Sequence, residues 1–312
     1  MDNVCVIGGS RYFGLHLVTL LQRSGARVTV VNRGSAPPPP GTEHLVADRS
    51  DEASLTAALG GRTFDAVVDQ VLYTPAQAAV ARRVFAGRTP RYVMTSTMEV
   101  YDPATSPLVP AATGPVDEDA VDPAGWPVDP ALPWHDPAAL ARHFGEPAAY
   151  AEGKRQAEAV LAHDAPFSWA SVRSAHVLGG GAQDFTGRLA HYVERIAAGR
   201  PVAVHPAARP TSFVHHREIA AFLARTAAGD ATGPLNACSD GALTAVELSA
   251  LVAERLGTSA RLRSPEGGDA SPFSFDRDYA MDNGRAAALG FRFSRTADWL
   301  PGAIDEAAAG VR

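Results

Sequence analysis

Residues 3–25, NVCVIGGSRYFGLHLVTLLQRSG, restrict the fold more than any other stretch of the chain. A β-branched run leads into a turn with three glycines, then into apolar residues at helical spacing that stop at Gly25. This order predicts a strand, a tight turn and a helix. The next run, RVTVV, supplies a second strand. The runs EHLVA, FDAVVD, RYVMT and FSWASVR then alternate with helical stretches over 51–59, 75–86 and 147–163. Such alternation predicts the α/β class: a doubly wound parallel sheet with crossover helices on both faces.

Within the turn, Gly8, Arg11 and Gly14 keep the G-x-x-G-x-x-G spacing of a dinucleotide-binding loop, with arginine at the middle position. Strand, turn and helix in this order raise the motif above a bare pattern match. Gly8 permits the tight turn and Gly14 lets the helix pack closely on the strand. Ser10, Tyr12 and Phe13 complete the loop. The free N–H groups of the helix N-terminus suit a pyrophosphate, so the expected sheet is of the Rossmann type. At the end of the second strand an NAD site normally carries an acid for the ribose 2′-hydroxyl. Here Asn32 and Arg33 stand there and "VVNRG" holds no acid. An arginine fork matches a phosphate bidentately. Arg11 and Arg33 therefore read as a pair bracketing a 2′-phosphate, and the expected cofactor is NADP (as NADPH). The plainer alternative is two solvated arginines in an arginine-rich chain.

Only one of the 28 basic side chains, Lys154, is a lysine. In AAYAEGKRQAEAVL it follows Tyr150 by four residues, which places both on one helix face. A phenol is a weak acid or base at its free pKa of about 10, and a neighbouring ammonium favours the phenolate. Tyr150 and Lys154 are thus candidate proton-transfer residues. Upstream, RYVMTSTMEVYD ends a strand in Thr95, Ser96 and Thr97, at the sheet edge where ligands bind. A hydroxyl there can donate to a substrate carbonyl oxygen.

A chain of 312 residues with 46% hydrophobic content can bury a large core. A net charge of −6 argues against nucleic-acid partners. Cys5 and Cys238 are too few and too far apart for a disulfide framework or a zinc site, which fits a reducing cytoplasm. Neither a signal peptide nor a membrane span is expected, because no run approaches the ~20 apolar residues a bilayer needs. No metal ligand set stands out, and the oligomer is expected to be a monomer or homodimer.

The boundaries expected are a dinucleotide-binding domain over 1–175 and a smaller mixed α/β substrate cap over 176–312, some of whose segments return to the first. Residues 102–147 interrupt the first domain with ten of the 24 prolines, Trp126, Trp134 and the acids Asp117, Glu118 and Asp119. A loop this long reads as a partly ordered lid. Its tryptophans are candidates to line a substrate site, as is Glu99, and the acids read as a solvated surface. After Ser174 come helical stretches over 184–199, 217–228, 244–256 and 296–310 and short strands such as PVAVH, TSFVHH and PLNAC.

The segments GGSRYFG, NRG, ADRSD, TSTMEVY, YAEGK, SVRSAHVLGGG and TSFVHHREIA together resemble the extended or atypical short-chain dehydrogenase/reductases of the NAD-dependent epimerase/dehydratase superfamily, over nearly the whole length. The resemblance implies Thr97 as the catalytic hydroxyl, four residues before Tyr101, with Tyr150 as acid/base and Lys154 on the nicotinamide ribose. It implies Asp48 at the adenine, with Arg49 beside it, and Gln70, Val71, Leu72 and Thr95 along the cofactor. Two departures weaken a nucleotide-sugar substrate: Thr211 replaces an arginine, and His176 replaces the asparagine that commonly touches substrate. His176 and Ser96 remain candidates for substrate contact.

Three function classes follow. The first is an NADPH-dependent reductase of a carbonyl in a small molecule such as a secondary metabolite, or an enzyme of the reverse oxidation. The second is an epimerase or dehydratase that returns its nicotinamide unchanged. The third is a non-catalytic NADP sensor or RNA-associated relative, against which the Thr97, Tyr150, Lys154 set counts.

Overall fold

The computed structural model describes residues 1–311. In chain order the first elements are β1 (Asn3–Ile7), α1 (Phe13–Arg23), β2 (Arg27–Asn32), β3 (Glu43–Val46), α2 (Glu52–Leu59), β4 (Ala66–Asp69), α3 (Pro75–Phe85), β5 (Arg91–Thr97), α4 (Pro137–Phe144), α5 (Glu146–Asp164) and β6 (Ser168–Ser174). There follow β7 (His176–Leu178), α6 (Arg188–Ala197), β8 (Val202–Ala203), β9 (Phe213–His215), α7 (His216–Ala228), β10 (Gly233–Ala237), α8 (Ala245–Arg255), β11 (Leu262–Arg263), α9 (Gly284–Ala288) and α10 (Thr296–Val311).

The main sheet has seven strands in the order β10-β6-β5-β4-β1-β2-β3. Its described pairs run parallel, with Ile7 opposite both Val31 and Asp69, and Thr97 opposite Ser174. The sheet is of the doubly wound Rossmann type expected. Strand order grows in opposite directions from β1, so the crossovers after β1 and β4 diverge and leave a crevice at their carboxyl ends. β10, drawn from the run PLNAC, extends this sheet beside β6.

The chain divides into two compact units. The first comprises Met1–Ala111, Glu118–Ser174 and Ala220–Asn236. Its core joins Ile7, Val67 and Met94 of the sheet to Leu55 of α2, Phe85 of α3 and Leu161 of α5. The second comprises Ala112–Asp117, Ala175–Ile219 and the chain from Ala237. Here Leu189 and Val193 of α6 pack with Val252 of α8 and Ile304 of α10. Cys5 and Cys238 are both free and buried, and burial pushes the Cys5 thiol up.

Helix α5 is unusual in that every residue from Ala151 to Leu161 is buried, five of them polar or charged. Buried polar groups need partners, and most of these find them in the proline-rich stretch. Arg155 Nε donates to the Val100 carbonyl (2.8 Å), and Trp126 Nε1 donates to Glu152 Oε1 (3.0 Å). The Asp129 amide donates to Gln156 Oε1 (2.8 Å), and Trp134 Nε1 closes onto the Asp129 carbonyl (2.7 Å). From β6, the Arg173 guanidinium donates to the Glu118 and Val121 carbonyls. Where a partly ordered lid was expected, 99–134 is tied to α5 and β6 at successive points. Both tryptophans are buried with their indole N–H groups spent on the protein. Glu118 corrects the reading of a solvated acidic surface. It is 2% exposed and accepts the Asn236 amide (2.7 Å), while Asp117 and Asp119 are exposed.

Candidate active site

The loop after β1 is built for close approach. Gly8 and Gly9 have φ of 94° and 80°. A Cβ on Gly14 would lie 2.5 Å from Gln70 Oε1 and 2.7 Å from Gly9 Cα, so only glycine seats α1 this near the sheet. Tyr12, at the N-cap of α1, holds φ 51° without glycine's freedom, and no side chain caps the helix. Non-glycine residues with positive φ mark stored strain and cluster at functional loops. The Gly14 and Leu15 amides close onto the Arg11 and Tyr12 carbonyls (3.0 and 3.1 Å), and the positive end of α1 faces the loop without a side-chain cap, as an anion site needs.

At the end of β2, the Asn32 side chain is wholly occupied. Its amide nitrogen donates to Ser10 Oγ (2.8 Å) and the Ala36 carbonyl (3.3 Å). Its oxygen accepts from the Gly34 amide (2.7 Å) and meets His44 Nε2 (2.9 Å). Ser10 is thus tied to β2. Arg11 and Arg33 are exposed, and neither guanidinium has a hydrogen bond or ion pair within the described residues.

Past β3, Asp48 is exposed and caps the Ser50 amide (2.8 Å), whereas Arg49 is buried and pairs with Asp69. Tyr92 also donates to Asp69 (2.6 Å), and the other Asp69 oxygen accepts the Val71 amide (2.9 Å). Around the carboxyl ends of β4 and β5, several buried polar atoms have no partner: Arg49 Nε and Nη1, Gln70 Nε2, Thr95 Oγ1 and Ser96 Oγ. Such orphans are rare in native proteins and call for a partner or a ligand. With the side-chain-free cradle of Gly8 and Gly14 and the uncapped α1, they fit a nicotinamide dinucleotide.

Tyr150 and Lys154 lie one turn apart on α5, as expected. Tyr150 is 40% exposed and Lys154 2%. Lys154 Nζ donates to the Leu72 and Thr95 carbonyls, both at 2.7 Å. Burial pushes its pKa down to about 7, against the Asp69 and Glu158 carboxylates, which favour the charge, and with Arg49, which opposes it. Thr97 ends β5 and accepts the Glu99 amide (3.2 Å), opening a single helical turn over Met98–Tyr101. Glu99 is half-buried there.

Sequence reasoning missed Tyr73. Its ring lies 6.2 Å from that of Tyr150, and Lys154 Nζ sits 4.4 Å from its centroid. The one signal available was Gly153 inside a helix. A Cβ there would stand 2.5 Å from the Tyr73 carbonyl oxygen.

In the second unit, His176 is 5% exposed. It stacks parallel on Phe275, with Phe273 and Tyr279 close by. Arg188 Nη1 lies 3.2 Å from its Nδ1. Arginine only donates, so Nδ1 accepts and the ring proton sits on Nε2, which has no partner. Burial, then Arg188, holds its pKa well below the ordinary range, and the ring is neutral at pH 7.

Residues 4–236 match the model of the NAD dependent epimerase/dehydratase family. The chain belongs to that family. The family is described as NAD dependent and falls within the short-chain dehydrogenase/reductase superfamily. As an epimerase/dehydratase family member it is similar to the 2′-dehydrokanamycin reductase of Streptomyces kanamyceticus, at 32% identity over 123 residues. That match spans 38% of this chain and 35% of the relative, so the chain aligns with about a third of the relative's length. Among solved structures, WbmH of Bordetella bronchiseptica in complex with NAD+ has a TM-score of 0.71 at 19% identity, covering 99% of this chain and 98% of that one. UDP-glucose 4-epimerase of Thermotoga maritima with UDP-glucose gives 0.71 at 17% identity, with 99% and 98% covered. These likenesses establish the family fold over the whole chain. Among the described residues no helix is long and apolar enough to cross a membrane, and no His, Cys, Asp and Glu cluster is arranged to hold a metal.

Proposed function

We propose that this protein is an NADPH-dependent reductase that converts a carbonyl of a polar small molecule to an alcohol. The observation that carries the cofactor preference is the state of Asn32. Its side-chain oxygen is already shared by Gly34 and His44, so β2 ends without an acceptor for a ribose 2′-hydroxyl. The exposed Arg11 and Arg33 supply donors for a 2′-phosphate instead. The substrate class follows the name of the Streptomyces relative, a reductase of 2′-dehydrokanamycin.

NADPH, held by the glycine loop and the ends of β4 and β5, would supply hydride to the substrate carbonyl. Tyr150 gives its phenolic proton to the carbonyl oxygen, and solvent returns one to the phenolate. Lys154 stabilises that phenolate as an ammonium. The Thr97 hydroxyl polarises the same carbonyl.

Absorbance at 340 nm, with NADPH or NADH and a panel of ketosugars, tests the reading. Net NADPH consumption with a tenfold or larger preference over NADH is expected. Equal use of both cofactors overturns the cofactor assignment, and substrate isomerisation without net consumption favours the epimerase class.

A further inference from the structure

The Lys154 ammonium lies inside the protein with no carboxylate in hydrogen-bond contact. Two of its N–H groups are taken by the Leu72 and Thr95 carbonyls. The groups around it are Asp69 at the end of β4, Glu158 on α5 itself, Arg49 after β3 and the phenols of Tyr73 and Tyr150. The remaining near neighbour is the Tyr73 ring, whose centroid is 4.4 Å from Nζ, against 5.9 Å for Tyr150. Within about 6 Å of a ring face a cation is attracted by the ring quadrupole, and more strongly when desolvated.

The backbone fixes that ring in place. The Tyr73 amide donates to Gln77 Oε1 (2.7 Å), and its carbonyl is held against α5 by the missing side chain of Gly153. Thr74 then caps α3, accepting from the Gln77 amide. The ring is 42% exposed, so one edge faces outward beside Tyr150 while the face covers Nζ.

We propose that Tyr73 is a positioning residue: its ring face keeps Lys154 protonated and holds the ammonium in place beside Tyr150. This rests on the assignment of Tyr150 and Lys154 as the proton-transfer pair. The carbonyls of Leu72 and Thr95 fix two directions of the ammonium, and the ring fixes the third. A phenol is not needed for this, only an aromatic face.

Because Lys154 is the sole lysine, protein grown with 13C-labelled lysine gives one lysine side-chain resonance, whose pH titration reports this residue alone. The measurement uses the full chain without cofactor or substrate. Tyr73→Leu and Tyr73→Met should lower the Lys154 midpoint by about 0.5–1.5 pH units, the range of a desolvated cation–π contact. Tyr73→Phe should restore it. Two aliphatic variants guard against one failing to fold, which the partial exposure of Tyr73 makes improbable. An unchanged midpoint overturns the inference. So does a rise, which would mean that the ring only shields the amine from water. A downward shift with phenylalanine rescue, in a protein that consumes no NADPH, would sink the reductase reading and leave the role of Tyr73 standing.

Discussion

Gly153 and Tyr73 meet where α5 crosses the loop after β4, and their contact has room for a hydrogen but not for a methyl group. A Cβ 2.5 Å from a carbonyl oxygen cannot be accommodated by a side-chain rotation, because the atom it meets is backbone. Gly153→Ala gains about 1 kcal/mol of helix propensity. Overpacking typically costs 1–3 kcal/mol. The clash is therefore expected to win, lowering the melting temperature by a few degrees, and displacing Tyr73 and Lys154 should cut turnover at least tenfold. An unchanged melting curve with full turnover would show that the loop yields freely.

Arg33→Ala and Arg11→Ala should each weaken NADPH by roughly 10- to 150-fold, the worth of a charge-assisted phosphate contact of ~1.5–3 kcal/mol. NADH affinity should stay within a factor of two. Fluorescence titration of both cofactors separates the two effects. Equal losses for both would place the arginines on the shared pyrophosphate.

Tyr150→Phe should bind NADPH normally and lose the proton-transfer contribution, of order 10²–10⁴ in kcat. Stopped-flow turnover and equilibrium binding on the same preparation read this. Near-normal kcat would move the acid to another group.

Lys154→Met should be inactive yet more stable. In the folded protein the lysine pKa falls from its ordinary 10.5 to about 7, and at ~1.36 kcal/mol per unit the buried charge costs at most about 5 kcal/mol. The two orphaned carbonyls return part of the gain, leaving roughly 1–3 kcal/mol. The sign follows from proton counting. Between pH 7 and 10.5 the unfolded chain holds a proton that the folded chain has released, so the wild type gains stability as pH rises. The advantage of the methionine variant is therefore largest at and below pH 7 and shrinks toward pH 10.5. Urea midpoints at pH 6.5 and 9.5 test it.

Arg173 Nη2 and Glu158 Oε2 form an ion pair at 2.6 Å, and both side chains are shielded from water. Removing one partner of a buried pair strands a charge at about 3–5 kcal/mol. Glu158→Ala should lose that much in urea unfolding. Glu158→Leu combined with Arg173→Met should lose less than the single change, a comparison that isolates the stranded charge from lost packing.

The sheet was readable because its signals are local. β-branched runs and helical spacing each lie within a dozen residues, and the glycine loop sits between two of them. Tyr150 and Lys154 were readable for the same reason, being four residues apart. The tethering of the proline-rich stretch was not. Trp126 finds its acceptor 26 residues on at Glu152, and Glu118 meets a backbone amide at Asn236, pairings that no local pattern encodes. Tyr73 escaped notice because its neighbours Lys154 and Gly153 lie some eighty residues later. Asn32 was legible as a missing acid. That its amide is already consumed depends on Ser10 and His44, which converge only in the folded sheet.

On α5, the proposed proton-transfer pair Tyr150 and Lys154 is interleaved with Glu152, Arg155 and Gln156, all three bonded to the stretch between Glu99 and Asp129. The two functions share one ribbon of seven residues and cannot be inherited separately. A chimera that imports the proline-rich stretch of a relative must import residues 150–156 with it. A transplant of the stretch alone would strip Glu152, Arg155 and Gln156 of their partners in it and leave them only the pairings they make with one another, right beside Tyr150 and Lys154. Diversity in this stretch should therefore arise in the exposed turns between the tethers, such as those around Leu108 and Ala131, rather than by wholesale exchange.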